Sequence, residues 1–326
     1  MNQLRASVPF GIHRMRTLIA FAASALLAMA ATAAESAVAM ARGIVVDGES
    51  GVAYVADGGG HARAITLTTG APRWRSDAVG LPLALANGRL LVLAGHIKDQ
   101  RDRIVLLDPE DGATRGAIEL DLPDGVRAVV TASPNRRFDV ALTPTAQGMR
   151  LHWEYRERAL RGDLPDANAT PVANLQSGAI DLDLGAARAA NIAREHVPAF
   201  PRRMPNLQAS ERIGNITFPQ FRAADNVHVL ASEPVADAQF GTAYRWNIHT
   251  RNDGAKLGAV QSPHATAAFM VHEGTLIARV DPYAERRASG DLHYRNSRIA
   301  AFDLGNGQEL WSHDVVEERF HGLMPP

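Results

Sequence analysis

Apolar residues recur along this chain in short runs, each closed by a polar turn. Gly51–Ala56 (GVAYVA), Arg89–Ala94 (RLLVLA), Arg103–Leu107 (RIVLL) and Val126–Ala132 (VRAVVTA) are such runs. Asn226–Ala231 (NVHVLA), Thr275–Val280 (TLIARV) and Arg298–Phe302 (RIAAF) continue the series. The boundaries read DGE, DGGG, NG, PEDG, NDG, EGT and GNG. Gly and Asn accept positive φ at such places, and Asp bonds its own backbone. Short branched runs between turns of this chemistry predict β-strands. No stretch keeps a helical period over several turns, and the best helical candidate is the short Gly185–Glu195 (GAARAANIARE). The expected class is all-β, built of short antiparallel strands. Arg158–Gly178 and Val197–Ser210 read as long surface loops.

The runs also repeat one another. Arg63–Asp77 (RAITLTTGAPRWRSD) and Arg298–Asp314 (RIAAFDLGNGQELWSHD) each hold a strand, a turn ending in glycine and a tryptophan four residues later. The glycines are Gly70 and Gly307, and the tryptophans Trp74 and Trp311. Arg103–Leu120 repeats the form with Gly116 at the tryptophan position, and Ala243–Val260 is a looser copy with Gly258 there. Gly178–Ile192 is weaker still. A hairpin precedes several of these units, which makes four-stranded sheets. Sheets with two apolar faces must stack on neighbours, and radial stacking solves that requirement.

The units ANGRLLVLAG…RIVLLDPEDG and RIAAFDLGNGQELW resemble blades of the pyrroloquinoline-quinone-type β-propeller superfamily, which includes the quinoprotein alcohol dehydrogenases and the BamB-type assembly lipoproteins. The resemblance implies an Asp-x-x-x-Gly turn and a tryptophan that docks between neighbouring blades. Asp303, Gly307 and Trp311 match all three elements. Gly70 and Trp74 match with Thr66 at the Asp position, and Asp108 and Gly112 match without the tryptophan. It spans residues 43–316, with a degenerate middle. Gly70 and Gly112 lie one blade period of 42 residues apart, whereas Gly112 to Gly254 is 142 and Gly254 to Gly307 is 53. That arithmetic points to six blades, within a range of five to seven. Five results if Arg136–Leu175 is one elaborated region. Closure is expected to pair a strand near Gly43–Val46 with the last blade.

The N-terminus follows a different pattern. Arg5, Arg14 and Arg16 precede an apolar Thr17–Met29, and small residues follow at Ala31–Ala34. Residues 1–34 read as a secretory signal peptide, leaving 35–326 as a single propeller domain. The expected location is periplasmic or secreted, with no integral membrane segment after removal of the leader. The remaining 292 residues carry 31 basic and 35 acidic side chains, a formal charge of −4. Nothing there suits nucleic acid. Cysteine is absent, which excludes disulfides, thiolate sites and a lipidated cysteine tether. It also departs from the quinoprotein dehydrogenases, whose resemblance implies a vicinal cysteine pair.

Candidate chemistry is sparse. No Gly-x-Ser-x-Gly, phosphate-binding loop, dinucleotide fingerprint or HExxH occurs. His61 and His96 close comparable strand ends, and with His264 they are the candidates for a divalent-metal site around a central channel. Asp181 and Asp183 alternate, so they share one side of a strand. Arg150–Arg161 (RLHWEYRERALR) reads either as an exposed recognition edge or as a blade strand with alternate core side chains. No cofactor is expected, although the resemblance admits the quinone or a metal. The function expected is a non-catalytic binding or scaffold role in the cell envelope, its partner another envelope protein or a small ligand. The alternative is a metal- or ligand-binding protein, or an enzyme, using the central channel.

Overall fold

The computed structural model describes residues 37–41, 43–95, 101–128, 136–158, 173–201, 211–213, 216–218, 221–235, 244–263, 269–280, 283–286 and 289–315. The expected signal peptide lies outside them. Their regular structure is strand, apart from one 3-10 turn at Arg194–His196.

Sheet I contains β1 (Ala37–Ala41), β2 (Ile44–Asp47), β3 (Val52–Ala56), β4 (His61–Thr66) and β5 (Pro72–Val79). Sheet II contains β6 (Leu81–Ala86), β7 (Arg89–Ala94), β8 (Arg103–Leu107) and β9 (Thr114–Glu119). Sheet III contains β10 (Arg136–Thr145), β11 (Gly148–Arg158), β12 (Ala173–Asp183) and β13 (Arg188–Asn191). A hairpin, β14 (Glu211–Ile213) with β15 (Ile216–Phe218), precedes sheet IV. Sheet IV contains β16 (Phe221–Ala223), β17 (His228–Pro234), β18 (Tyr244–Thr250) and β19 (Lys256–Ser262). In sheet V, β20 (Phe269–His272) and β21 (Thr275–Val280) pair on to β24 (Arg298–Asp303) and β25 (Glu309–Asp314). The hairpin β22 (Tyr283–Arg286) and β23 (Leu292–Arg295) is inserted within it, which accounts for the long last interval.

The sheets stack as the blades of a β-propeller. Each is antiparallel, and four neighbouring pairs share apolar side chains. Tyr54 and Ala64 of sheet I meet Val92 and Leu107 of sheet II. Leu93 and Ile104 of sheet II meet Phe138, Leu151 and Trp153 of sheet III. Leu230 and Trp246 of sheet IV meet Leu276 and Phe302 of sheet V. Ile277 and Ile299 of sheet V return to Ile44, Val55 and Ile65 of sheet I. Sheets V and I therefore meet by side-chain packing. The expected strand exchange near Gly43–Val46 is replaced by β2 pairing with β1 and β3 inside sheet I.

Five turns mark five sheets among the described residues. Gly70, Gly112, Gly254 and Gly307 take φ of 70°, 74°, 74° and 78°, and each donates its N–H to the carbonyl four residues earlier. The remaining turn is Asp183–Ala187, where Ala187 takes φ 50° and Asp183 Oδ1 accepts from the N–H groups of Gly185 and Ala186. Among the described residues, the interval from Gly112 to Gly254 thus holds two four-stranded sheets where three blades were expected. Its extra length goes into strands of 10 and 11 residues in sheet III and into the β14–β15 hairpin.

Two other expectations change. Gly185–Glu195 is a turn, β13 and a 3-10 turn rather than a helix, because its alanines face solvent on all sides. The end of the expected loop Arg158–Gly178 is strand, since β12 begins at Ala173 and pairs with β11. Of VRAVVTA, Val126 and Ala128 pack into the core between sheets II and III without forming a strand, and residues 129–132 lie outside the described residues.

Candidate functional site

The repeat motifs occupy the seams between sheets. Trp311 Nε1 donates to Leu67 O at 2.9 Å, and a Cβ on Gly70 would lie 2.6 Å from Trp311 Cγ. Trp74 Nε1 donates to Pro109 O at 2.9 Å, and a Cβ on Gly112 would lie 2.5 Å from its indole. Each tryptophan thus lies on the turn of the next sheet. Where Gly258 replaces it, the backbone of Asn306 comes directly against the glycine. Asp108 and Asp303 serve their own turns, accepting from Glu110 N–H at 3.0 Å and Gly305 N–H at 2.7 Å. Tyr54 lies beside Trp74 at a seam; burial first, then Asp47, pushes its phenol up to about 12.

Of the three candidate metal ligands, His61 is described, and His96 and His264 lie outside the described residues. His61 Nδ1 is 3.2 Å from Ser76 O, and its N–H donates to Asp57 Oδ1 at 3.0 Å. Among the described residues no three His, Asp or Glu side chains come together as a metal site.

A different site stands out on sheet III. Residues 149–156 are alternately apolar and polar, and β11 lies between β10 and β12, so each parity becomes one face. Leu151, Trp153, Tyr155 and Ile180 form the face packed on sheet II. The opposite face carries Arg137, Asp139, Thr143, Arg150, His152, Glu154, Arg156 and Asp181. Its charges are compensated internally. Arg150 Nε and Asp181 Oδ1 are 2.7 Å apart, and this hydrogen bond lowers the Asp181 carboxyl below its usual range. Arg137 bonds Asp139 at 2.8 Å, and Arg156 Nε bonds Glu154 at 2.7 Å. Across the strands Arg137 faces Arg156 and Asp139 faces Glu154, so each like-charged pair is relieved along its own strand. Directly opposed like charges otherwise destabilise a sheet.

His152 is 4% exposed and Glu154 7%. The Nε2 of His152 lies 3.0 Å from Thr143 Oγ1, whereas its Nδ1 is buried without a hydrogen-bond partner. Burial first, and Arg150 second, lower its imidazole pKa. An unpaired lone pair costs less than an unpaired N–H⁺, so the neutral ring suits this position.

Both side chains line a recess of about 890 Å³. It runs along residues 174–179 of β12 and is walled by residues 191–200 and by Asp121–Pro123. Asn191 Nδ2 clasps the Asp121 carbonyl at 3.0 Å at one end. Trp153 reaches the recess because Gly178 has no side chain; a Cβ there would lie 2.5 Å from the indole. Leu175 projects there, 57% exposed. The alternation of Leu151, His152, Trp153 and Glu154 was legible in the sequence. The recess was not, because one wall comes from residues beyond β13.

No family profile and no curated protein matches the sequence. Among solved structures, the chain is similar to BamB from Moraxella catarrhalis at 15% identity and a TM-score of 0.24, with 83% of this chain and 63% of that one covered. It is also similar to a computationally designed protein, Ika8, at 14% identity and a TM-score of 0.22, over 88% of this chain and 63% of that one. The chain thus spans less than two thirds of the length of either. Among the described residues no helix is long and apolar enough to cross a membrane.

Proposed function

We propose that this chain is an exported β-propeller of the cell envelope that binds another envelope protein without transforming it, and that the recess on sheet III is its binding site. One observation carries the reading: the 890 Å³ recess lies over a compensated polar face and beside an exposed leucine. A concave site with apolar walls and a few placed polar groups suits recognition. The charged groups there already satisfy one another, which suits a neutral partner better than a reacting substrate. The leader-like residues 1–34 support export, and the absence of cysteine argues against a lipid tether on the mature chain.

A photo-cross-linking residue at Ser177, in the full-length chain produced in a bacterial cell, tests this. The expected result is a discrete adduct in the envelope fraction from position 177, and none from a control position at Glu110. The intact mass of the product should correspond to cleavage near Ala34. Equal labelling from both positions, or a cytoplasmic uncleaved product, would refute the proposal.

A further inference from the structure

β12 is longer than its outer neighbour. β13 pairs with it only from Ile180–Asn191 to Asp183–Arg188, and one further bond runs from Ile192 N–H to Ala179 O at 3.0 Å. The chain then leaves through the 3-10 turn at Arg194–His196. That bond shows that Ala179 turns its backbone groups to the outer edge. The two-residue alternation of a strand turns those of Ser177, Leu175 and Ala173 the same way. Among the described residues no strand pairs with this stretch on that side. Extending the β12–β13 register would set Arg194, His196 and Pro198 opposite Ser177, Leu175 and Ala173. Proline has no N–H, and Pro201 follows, so VPAFP is a poor completion of the ladder.

The open edge is about 20 Å long at the usual rise of a strand. Unpaired edges recruit other strands, and proteins cover them unless they are used. This one lies inside the recess, with Val197, Pro198 and Phe200 in the facing wall. A walled edge admits one extended segment more readily than the flank of a second sheet. Its two sides differ. On one, Trp153 crosses Gly178, with Gln176 and Asn174 beyond it; on the other lie Glu154, Ser177 and the exposed Leu175.

From this geometry we infer that the edge Ala173–Ala179 receives an extended peptide segment of a partner protein by strand addition. The guest runs antiparallel to β12 in the track that β13 vacates. Its alternate residues are apolar, facing the Trp153 side, and the residue opposite Ser177 is polar, facing Glu154. This rests on the binding reading above and names its mode. Backbone pairing supplies the affinity, and the Trp153 side supplies the preference.

The test uses the mature protein and capped peptides of about seven residues that alternate threonine with valine or phenylalanine. Controls are peptides of the same composition without alternation, and the alternating peptides N-methylated at every second residue, in both phases. Binding is read by fluorescence polarisation, and amide exchange is followed at Leu175 and Ser177. The expected result is saturable binding of the alternating set, at least about tenfold slower exchange at both amides, and at least about tenfold weaker binding for the methylated phase that removes the edge-facing donors. Peptide binding without protection at these amides, or indifference to methylation in either phase, overturns strand addition. So does a failure of the whole alternating set to bind. Protection that rises with protein concentration in the absence of peptide, together with a dimer in sedimentation, overturns it in favour of self-pairing. A Ser177 cross-link that persists in any of these cases leaves the binding reading standing, so the two ideas fail separately.

Discussion

The seam between sheets V and I and the polar face of sheet III are built from the same element, an antiparallel sheet, yet they use it in opposite ways. At the seam, Ile277 and Ile299 interlock with Ile44, Val55 and Ile65, and Trp311 lies on Gly70. On sheet III the same alternation puts Leu151 and Trp153 against sheet II but leaves His152, Glu154 and Arg156 on the other face. A blade buried on both sides reads as a nearly continuous apolar run, such as RLLVLA. A blade with one face kept for polar contacts reads as strict alternation, as in RLHWEYR. The difference marks where the ring invests in stability and where it keeps a surface for recognition.

The largest expected effect comes from breaking the packed face of sheet III. Leu151 is fully buried, so Leu151→Ala should cost about 2–5 kcal/mol in urea unfolding, while Ser177→Ala on the recess should stay within about 0.5 kcal/mol. Comparable losses would erase the contrast between the two faces. Gly70→Ala tests the seam. Its φ is 70°, and the new Cβ would press on Trp311 close to that residue's own backbone, where no flexible chain end can yield. A loss of about 2–3 kcal/mol is expected, with a change in tryptophan fluorescence.

Acid should weaken the polar face before the seam. His152 has a lowered folded-state pKa, so the unfolded chain takes up its proton first. The stability tied to its neutral form is complete above the ordinary imidazole range, and it is lost as pH falls below about 6.5 toward the folded value. His152→Gln should flatten the stability profile between about pH 7 and pH 5. An unchanged slope would remove the buried neutral ring from the account. Asp181 acts in the same direction at lower pH, since its lowered carboxyl must be protonated before the Arg150 pair is lost. The smallest expected effect is a gain. Ala187 holds a φ of 50° where the other turns use glycine, so Ala187→Gly should add up to about 1 kcal/mol, read as a rise in Tm.

Ala187 also shows why the number of sheets was hard to read. The turn glycines at Gly70, Gly112, Gly254 and Gly307 are visible because positive φ selects glycine there. The remaining turn hides behind alanine, since a single strained position is tolerated when Asp183 caps the turn. Counting glycines therefore leaves an interval of 142 residues and points to one blade more than the five four-stranded sheets among the described residues. The candidate site was legible only by halves. Alternation in Arg150–Arg156 assigns the two faces, but the loop-like composition of Arg158–Gly178 conceals the start of the strand that forms the recess.

By itself, the sequence determined what local chemistry can determine: short strands, polar turns, the glycine of each marked turn and the tryptophan four residues after it. These follow from φ preferences and side-chain alternation, which act over a few residues. Tertiary structure alone decided which turn receives each tryptophan, how sheets V and I meet, and that β13 stops short of the full length of β12. Those outcomes depend on contacts between residues far apart in the chain, such as Trp311 with Leu67. A strand's outer edge carries no side-chain signature of its own, because its unpaired groups belong to the backbone that every residue shares.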